Sequence, residues 1–201
     1  MRKKLCGLGT IFLLALAYAL DTEDVFPYFV TATVLHELGH VLAVFLCGGQ
    51  IRGFEPAPFG FSLRFDSMLS YWKDAIIAGG GAGMNLLTAF LLSVAAKYLP
   101  GRADWMLAAG VNVVIGFFNL LPALPLDGGR ILYALLAQLT DVTRALAITR
   151  AVSFLIGVAV TAFGVYILIK TQYNMSILAV GGLILGGTYA QRAGKDLTAR
   201  A

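Results

Sequence analysis

Residues 25–50 read VFPYFVTATVLHELGHVLAVFLCGGQ. The stretch is long enough to cross a bilayer and free of Lys, Arg and Asp, yet at its middle stands His36-Glu37-Leu38-Gly39-His40, with the only two histidines of the chain. On an α-helix, residues four apart share a face with β-carbons roughly 6 Å apart, so His36 and His40 direct two imidazoles at one point. Glu37 sits one residue along, off that line but within reach of a water beside it, which is the general-base position of metallohydrolases. Two core histidines bonded to their neighbours are the plain alternative. That reading leaves three ionisable groups within five residues at membrane depth. A central Asp in a membrane helix costs roughly 2.5–3.5 kcal/mol on insertion scales, and such groups mark functional sites.

The 201 residues are 59% hydrophobic and 13% charged, more apolar than a soluble domain needs to be. Six apolar segments are read, at 5–20, 26–47, 75–96, 104–139 with an interruption, 147–169 and 175–190. The expected fold is therefore an all-α polytopic membrane protein with about six transmembrane helices. The first segment follows Arg2-Lys3-Lys4 and ends in Ala17-Tyr18-Ala19, a pattern shared by a retained anchor and by a cleaved signal peptide. Either leaves the topology of the remainder the same.

A formal charge of +4 raises the question of nucleic acid, and the placement of the basic residues answers it. They lie in loops and termini with no aromatic face for stacking on bases, so no nucleic-acid partner is expected. With the N-terminus inside, Arg2, Lys3, Lys4, Arg52, Arg64, Lys73, Arg144, Arg150, Arg192, Lys195 and Arg200 fall on the cytoplasmic side and only Lys97, Arg102 and Lys170 outside. Arg130 falls at or near the membrane. The positive-inside rule then sets a multi-pass protein of the cell membrane with both termini cytoplasmic. His36 lies ten residues below Phe26, roughly 15 Å at the helical rise and near the midplane, so water has to reach it through a cavity between helices. Cys6 and Cys47 sit in apolar segments and are read as packing residues.

After Cys47-Gly48-Gly49, a helix stop, residues 59–66 alternate strictly, with Phe59, Phe61, Leu63 and Phe65 on one face. The segment reads either as a short β-hairpin on the cytoplasmic membrane surface or as an amphipathic reentrant loop. As a strand, its free edge suits pairing with an extended substrate, with Phe61 and Leu63 as the contact candidates. Gly79-Gly80-Gly81-Ala82-Gly83 is a small-residue packing run, not a phosphate loop, since no Lys-Ser or Lys-Thr follows. Asn85 just beyond it is a polar group that needs a partner. Gly181, Gly182, Gly186 and Gly187 form a similar face on the last helix, for packing within the chain or for pairing with a second copy.

Asn119-Leu120-Leu121-Pro122-Ala123-Leu124-Pro125-Leu126-Asp127-Gly128-Gly129-Arg130 interrupts what would otherwise be one long apolar helix. Two prolines remove backbone donors and two glycines loosen the chain, so this segment should be unwound, and unwound backbone at membrane depth normally lines a cavity. Asp127 there needs a cation. A helix cap or a partner for Arg130 is the simpler use of it; beside the His36–His40 pair, a His-His-Asp zinc site is the stronger one.

At this point the chain resembles the site-2 protease family of intramembrane zinc metalloproteases, in particular its small bacterial and archaeal branch typified by the stage IV sporulation FB protease. The resemblance rests on the His36–His40 motif in the second segment, on the Asn119 to Arg130 segment about ninety residues later, and on the six-segment layout. It covers roughly residues 5–190. It implies one Zn2+ per chain held by His36, His40 and Asp127, Glu37 as catalytic base, and Asn119 with the loop from Pro122 to Pro125 as substrate-positioning residues. Gly81 to Asn85 resembles the family's A-G-P-x-x-N element, with Ala82 where proline is usual, and adds Asn85 to the substrate-binding candidates. Many relatives carry a PDZ or a CBS domain, and neither is read here: residues 1–201 are expected to be a single membrane-embedded protease domain. The expected partners are the lipid bilayer and a membrane-protein substrate with a transmembrane segment. The rival function is a divalent-cation carrier that uses His36, His40 and Asp127 as a transit site and has no need of a base beside the first ligand.

Overall fold

A computed structural model describes residues 24–49, 51–57, 60–65, 70–171 and 176–198. The first apolar segment, at 5–20, and the turn at Pro58-Phe59 lie outside the described residues. The elements in chain order are α1 (Phe26–Leu46), β1 (Ile51–Ala57), β2 (Gly60–Phe65), α2 (Tyr71–Tyr98), α3 (Arg102–Asn119), α4 (Asp127–Leu139), α5 (Val142–Thr171) and α6 (Ser176–Thr198). Of these, α1, α2 and α5 are long and apolar enough to cross a membrane. The protein is a membrane protein, and it divides into two compact units, Met1–Phe117 and Phe118–Ala201.

In the first unit, α1 starts with Pro27 in its first turn and runs 21 residues. It stops where the chain turns left-handed at Gly48, φ 72°. Gly48 N–H donates to Phe45 O at 3.0 Å and Gly49 N–H to Val44 O at 2.9 Å, the paired closure that a glycine just past a helix end permits. Lys73 Nζ also donates to Cys47 O at 2.8 Å, a cation at the negative end of the helix dipole. The two faces of α1 are reversed from those of a soluble helix. Ala32, His36, Gly39, His40 and Ala43 are buried, while Phe29, Val34, Leu38, Leu42 and Phe45 point outward. Large apolar side chains outside and small or polar ones inside is what a lipid solvent selects.

Where α1 meets α2, no side chain separates the backbones. A Cβ on Gly39 would run into Gly80 O, and one on Gly80 would stand 2.7 Å from both Ala43 Cβ and Gly39 O. Val44, Ala43 and Ile77 pack together beside this crossing, with Cys47 against them. The glycine run of α2 is thus a packing surface. Gly116 of α3 takes Leu86 of α2 in the same way, at 3.2 Å from a built Cβ. β1 and β2 pair antiparallel, with Phe54 opposite Leu63 and Pro56 opposite Phe61, and the register shifts between Ile51 and Gly53.

In the second unit, α5 and α6 also cross on glycines: Gly164 meets the backbone at Leu178, and Gly181 meets Thr161. Of the small-residue face read on the last helix, Gly181 and Gly187 pack within the chain, where a Cβ on Gly187 would stand 2.7 Å from Pro125 Cδ, whereas a Cβ on Gly182 or Gly186 would meet nothing within 4 Å. The unwound segment at 120–126 separates α3 from α4, and its N–H groups at 121, 123, 124 and 126 all have partners. Leu121 N–H donates to Phe118 O at 3.1 Å, Ala123 N–H to Leu121 O at 2.7 Å and Leu126 N–H to Ala123 O at 2.9 Å. Leu124 N–H donates to Ser153 Oγ of α5 at 2.8 Å, and that hydroxyl donates onward to Thr149 O at 2.7 Å. Thr188 Oγ1 of α6 reaches Leu124 O at 3.4 Å. Non-helical backbone inside a membrane protein persists only with such partners.

Candidate metal centre

His36 and His40 occupy successive turns of the buried face of α1, at 6% and 7% exposure. Their rings stand edge to face, with interplanar angle 89° and centroids 4.8 Å apart. Each Nδ1 is engaged by a fixed acceptor. His40 Nδ1 lies 2.8 Å from Ile77 O, and a backbone carbonyl can only accept, so Nδ1 carries the proton. His36 Nδ1 lies 2.7 Å from Asn85 Oδ1, with the same consequence. In the neutral rings both Nε2 atoms therefore carry a lone pair and no proton, and they face each other at 3.2 Å.

Two lone pairs at that distance repel unless a cation joins them. Zn–N bonds of 2.0–2.1 Å in a tetrahedral shell set an N···N edge of about 3.3 Å, which the observed separation matches. Space is reserved for it as well. A Cβ on Gly81 would stand 2.5 Å from His40 Nε2 and 2.7 Å from both Cε1 and Nε2 of His36, so only glycine fits beneath the pair. Donor type, spacing and clearance all suit zinc, with both Nδ1 protons spent on the outer hydrogen bonds that orient zinc-binding histidines.

Glu37 is half-buried on the adjacent ridge of α1. Asp127 belongs to the second unit, as the buried first residue of α4. There its carboxylate lies at the positive end of the helix dipole, and Arg130 Nη1 one turn on stands 3.5 Å from Oδ1. A carboxylate at this point requires the chain to fold back tightly. A Cβ on Gly128 would collide with the backbone of Leu120 and Leu121, and one on Gly129 would lie 2.5 Å from Ala123 C and Leu124 N.

The remaining sequence candidates sit on other elements. Asn119 is the last residue of α3. Pro122 and Pro125 lie exposed in the unwound segment. Phe61 and Leu63 are on β2. Asn85, read as a substrate-binding candidate, is wholly buried, with Oδ1 on His36 and Nδ2 donating to Ala32 O and Asn112 Oδ1, each at 2.9 Å. Both Nδ2 protons are taken and Oδ1 holds the His36 ring, so Asn85 serves the histidine. Three contributors went unread in the sequence. Ile77 acts through its carbonyl, which no side-chain pattern reveals. Gly81 is hidden in a packing run, and Asn112 stands alone as a polar residue in the apolar stretch 106–118, where its only signal is that burial demands a partner.

Comparison with known proteins agrees with this chemistry. Residues 102–162 match the sequence model of peptidase family M50, a span that holds Asp127 and the unwound segment. The chain is 31% identical over 115 residues to a zinc-metalloprotease candidate of Synechocystis sp., sll0528, and 30% identical over 113 residues to zinc metalloprotease MJ0392 of Methanocaldococcus jannaschii. Those alignments take in 54% and 53% of this chain but 30% and 32% of the relatives, so the chain spans less than a third of the length of the curated proteins it matches. Among solved structures, the site-2 protease from Methanocaldococcus jannaschii superposes with a TM-score of 0.69 at 21% identity, over 92% of this chain and 86% of that one. Over residues 102–162 the chain is thus similar to peptidase family M50, and its fold is similar to that of the site-2 protease.

Proposed function

We propose that the protein is an intramembrane zinc metalloendopeptidase that hydrolyses a peptide bond in or beside a transmembrane segment of another membrane protein. One observation carries the reading: two imidazole Nε2 atoms 3.2 Å apart at the buried face of a membrane helix, each ring held at Nδ1 by an acceptor, with a carboxylate beside the first. A metal carrier needs the first feature and not the second. Asp127 is the third ligand in this proposal. It is the only buried carboxylate among the described residues, and three protein ligands leave a fourth position open for chemistry.

Zinc held there would polarise the scissile carbonyl and lower the pKa of water to roughly 7. The chain's own residues do the rest. Glu37 takes a proton from the attacking water and returns it to the leaving amine, one group serving as base and then as acid. A substrate helix hides its carbonyls, so it must unwind before attack. Asn119 and the Pro122–Pro125 loop then position it, and the β1–β2 pair, lying on the cytoplasmic membrane surface, accepts the extended stretch on its edge near Phe61 and Leu63. About six crossings with both termini cytoplasmic complete the arrangement, in a cell membrane.

The test is Glu37→Gln, which keeps shape and removes the base. The substituted protein should hold zinc like the native one and fail to cleave a co-expressed membrane substrate. Cleavage that persists, with metal uptake into vesicles unaffected by the substitution, would make the carrier the better reading.

A further inference from the structure

We propose that Asn112, on α3, is a positioning residue for the metal centre that acts on His36 through Asn85. The inference rests on His36 as a metal ligand and not on peptidase activity. Asn112 Nδ2 donates to Ala108 O at 2.9 Å, one turn back in its own helix. A backbone carbonyl only accepts, so the amide cannot turn over, and Oδ1 is the atom that faces α2. There it accepts from Asn85 Nδ2 at 2.9 Å. The second Nδ2 proton of Asn85 goes to Ala32 O, also at 2.9 Å.

Both amide protons of Asn85 are thus spent on pure acceptors, and the atom left for His36 is Oδ1, at 2.7 Å. An acceptor there puts the ring proton on Nδ1 and leaves Nε2 bare for the metal. Were Asn85 reversed, its NH2 would meet Nδ1 and the ring proton would move to Nε2, where it blocks coordination. Asn112 and Ala32 O are the two locks on that amide. At 0% and 3% exposure, Asn85 and Asn112 are out of reach of water that could stand in for a lost partner.

The experiment compares the native chain with Asn112→Leu and Asn112→Asp. Leu fills a similar volume without an acceptor, whereas Asp keeps the acceptor oxygen at the cost of a buried acid. A packing role for Asn112 predicts that Leu is tolerated and Asp harmful. The relay predicts the reverse order. Zinc affinity, read by chelator competition, should fall by roughly 10-fold or more in Asn112→Leu, the scale of an outer-shell loss, and stay near native in Asn112→Asp. A second readout needs no substitution. With only two histidines in the chain, selective 15N-histidine labelling should show His36 protonated at Nδ1 in the metal-free native protein, and a mixture of tautomers in Asn112→Leu. A native His36 with its proton on Nε2, or Asn112→Leu binding zinc as tightly as the native chain, would overturn the relay alone. Failure of the native protein to bind zinc at all would overturn the metal-site reading beneath it.

Discussion

At the scale of single residues, a spacing legible in the sequence turns into a chemical constraint only when the outer partners are known. His36 and His40 announce themselves by being four apart, and Glu37 by its place beside them. What makes the pair a cation site is the proton on each Nδ1, held by Asn85 and by the Ile77 carbonyl. Neither is legible from ligand spacing, because a backbone acceptor has no sequence signature and an amide in an apolar helix says only that it needs a partner. Gly81 offers the sharpest residue-level prediction. Gly81→Ala places a methyl 2.5 Å from His40 Nε2, so one ring must leave. The purified variant should keep its helical circular dichroism and carry far less than one zinc per chain by atomic emission. A full complement would show that the rings have room to spare.

At the scale of elements, the break between α3 and α4 was readable, since Pro122, Pro125 and the Gly128-Gly129 pair cannot continue a helix under those neighbours. The partners that hold the break were not. Ser153 on α5 and Thr188 on α6 are ordinary polar residues of apolar helices until Leu124 is seen between them. Ser153→Ala removes the acceptor of a buried N–H and should lower stability by about 1–3 kcal/mol, seen as a lower thermal midpoint in detergent. An unchanged midpoint would mean that this backbone group finds another partner. Gly128→Ala is expected to be worse, because its methyl collides with backbone at Leu120 and Leu121 instead of with a side chain that can turn away. Helix ends were the least legible feature. Apolar periodicity put the fifth and sixth segments at 147–169 and 175–190, while α5 runs Val142–Thr171 and α6 runs Ser176–Thr198. Hydropathy follows the lipid-facing stretch, and helices continue past it into polar turns.

For the whole molecule, membrane character was legible from composition alone, and the structure adds how the chain adapts to lipid. Bulky side chains such as Leu38, Phe90, Phe117 and Leu155 face outward, and glycine and alanine close the helix crossings. The protein should accordingly stay with membranes through alkaline carbonate washing and leave them only in detergent; release by carbonate would contradict the assignment of α1, α2 and α5 as spans. The division at Phe117 and Phe118 was not legible, because no linker marks it: α3 runs through residue 119 and the boundary arises from packing. The central claim is that one zinc ion is held by the paired histidines together with Asp127. Zinc titration of the purified native chain and of Asp127→Ala tests it most directly. The account predicts one tight site per native chain and, in the variant, a loss of affinity beyond the roughly 10- to 100-fold that outer-shell changes cost. Binding of equal tightness and stoichiometry in the two proteins would contradict it.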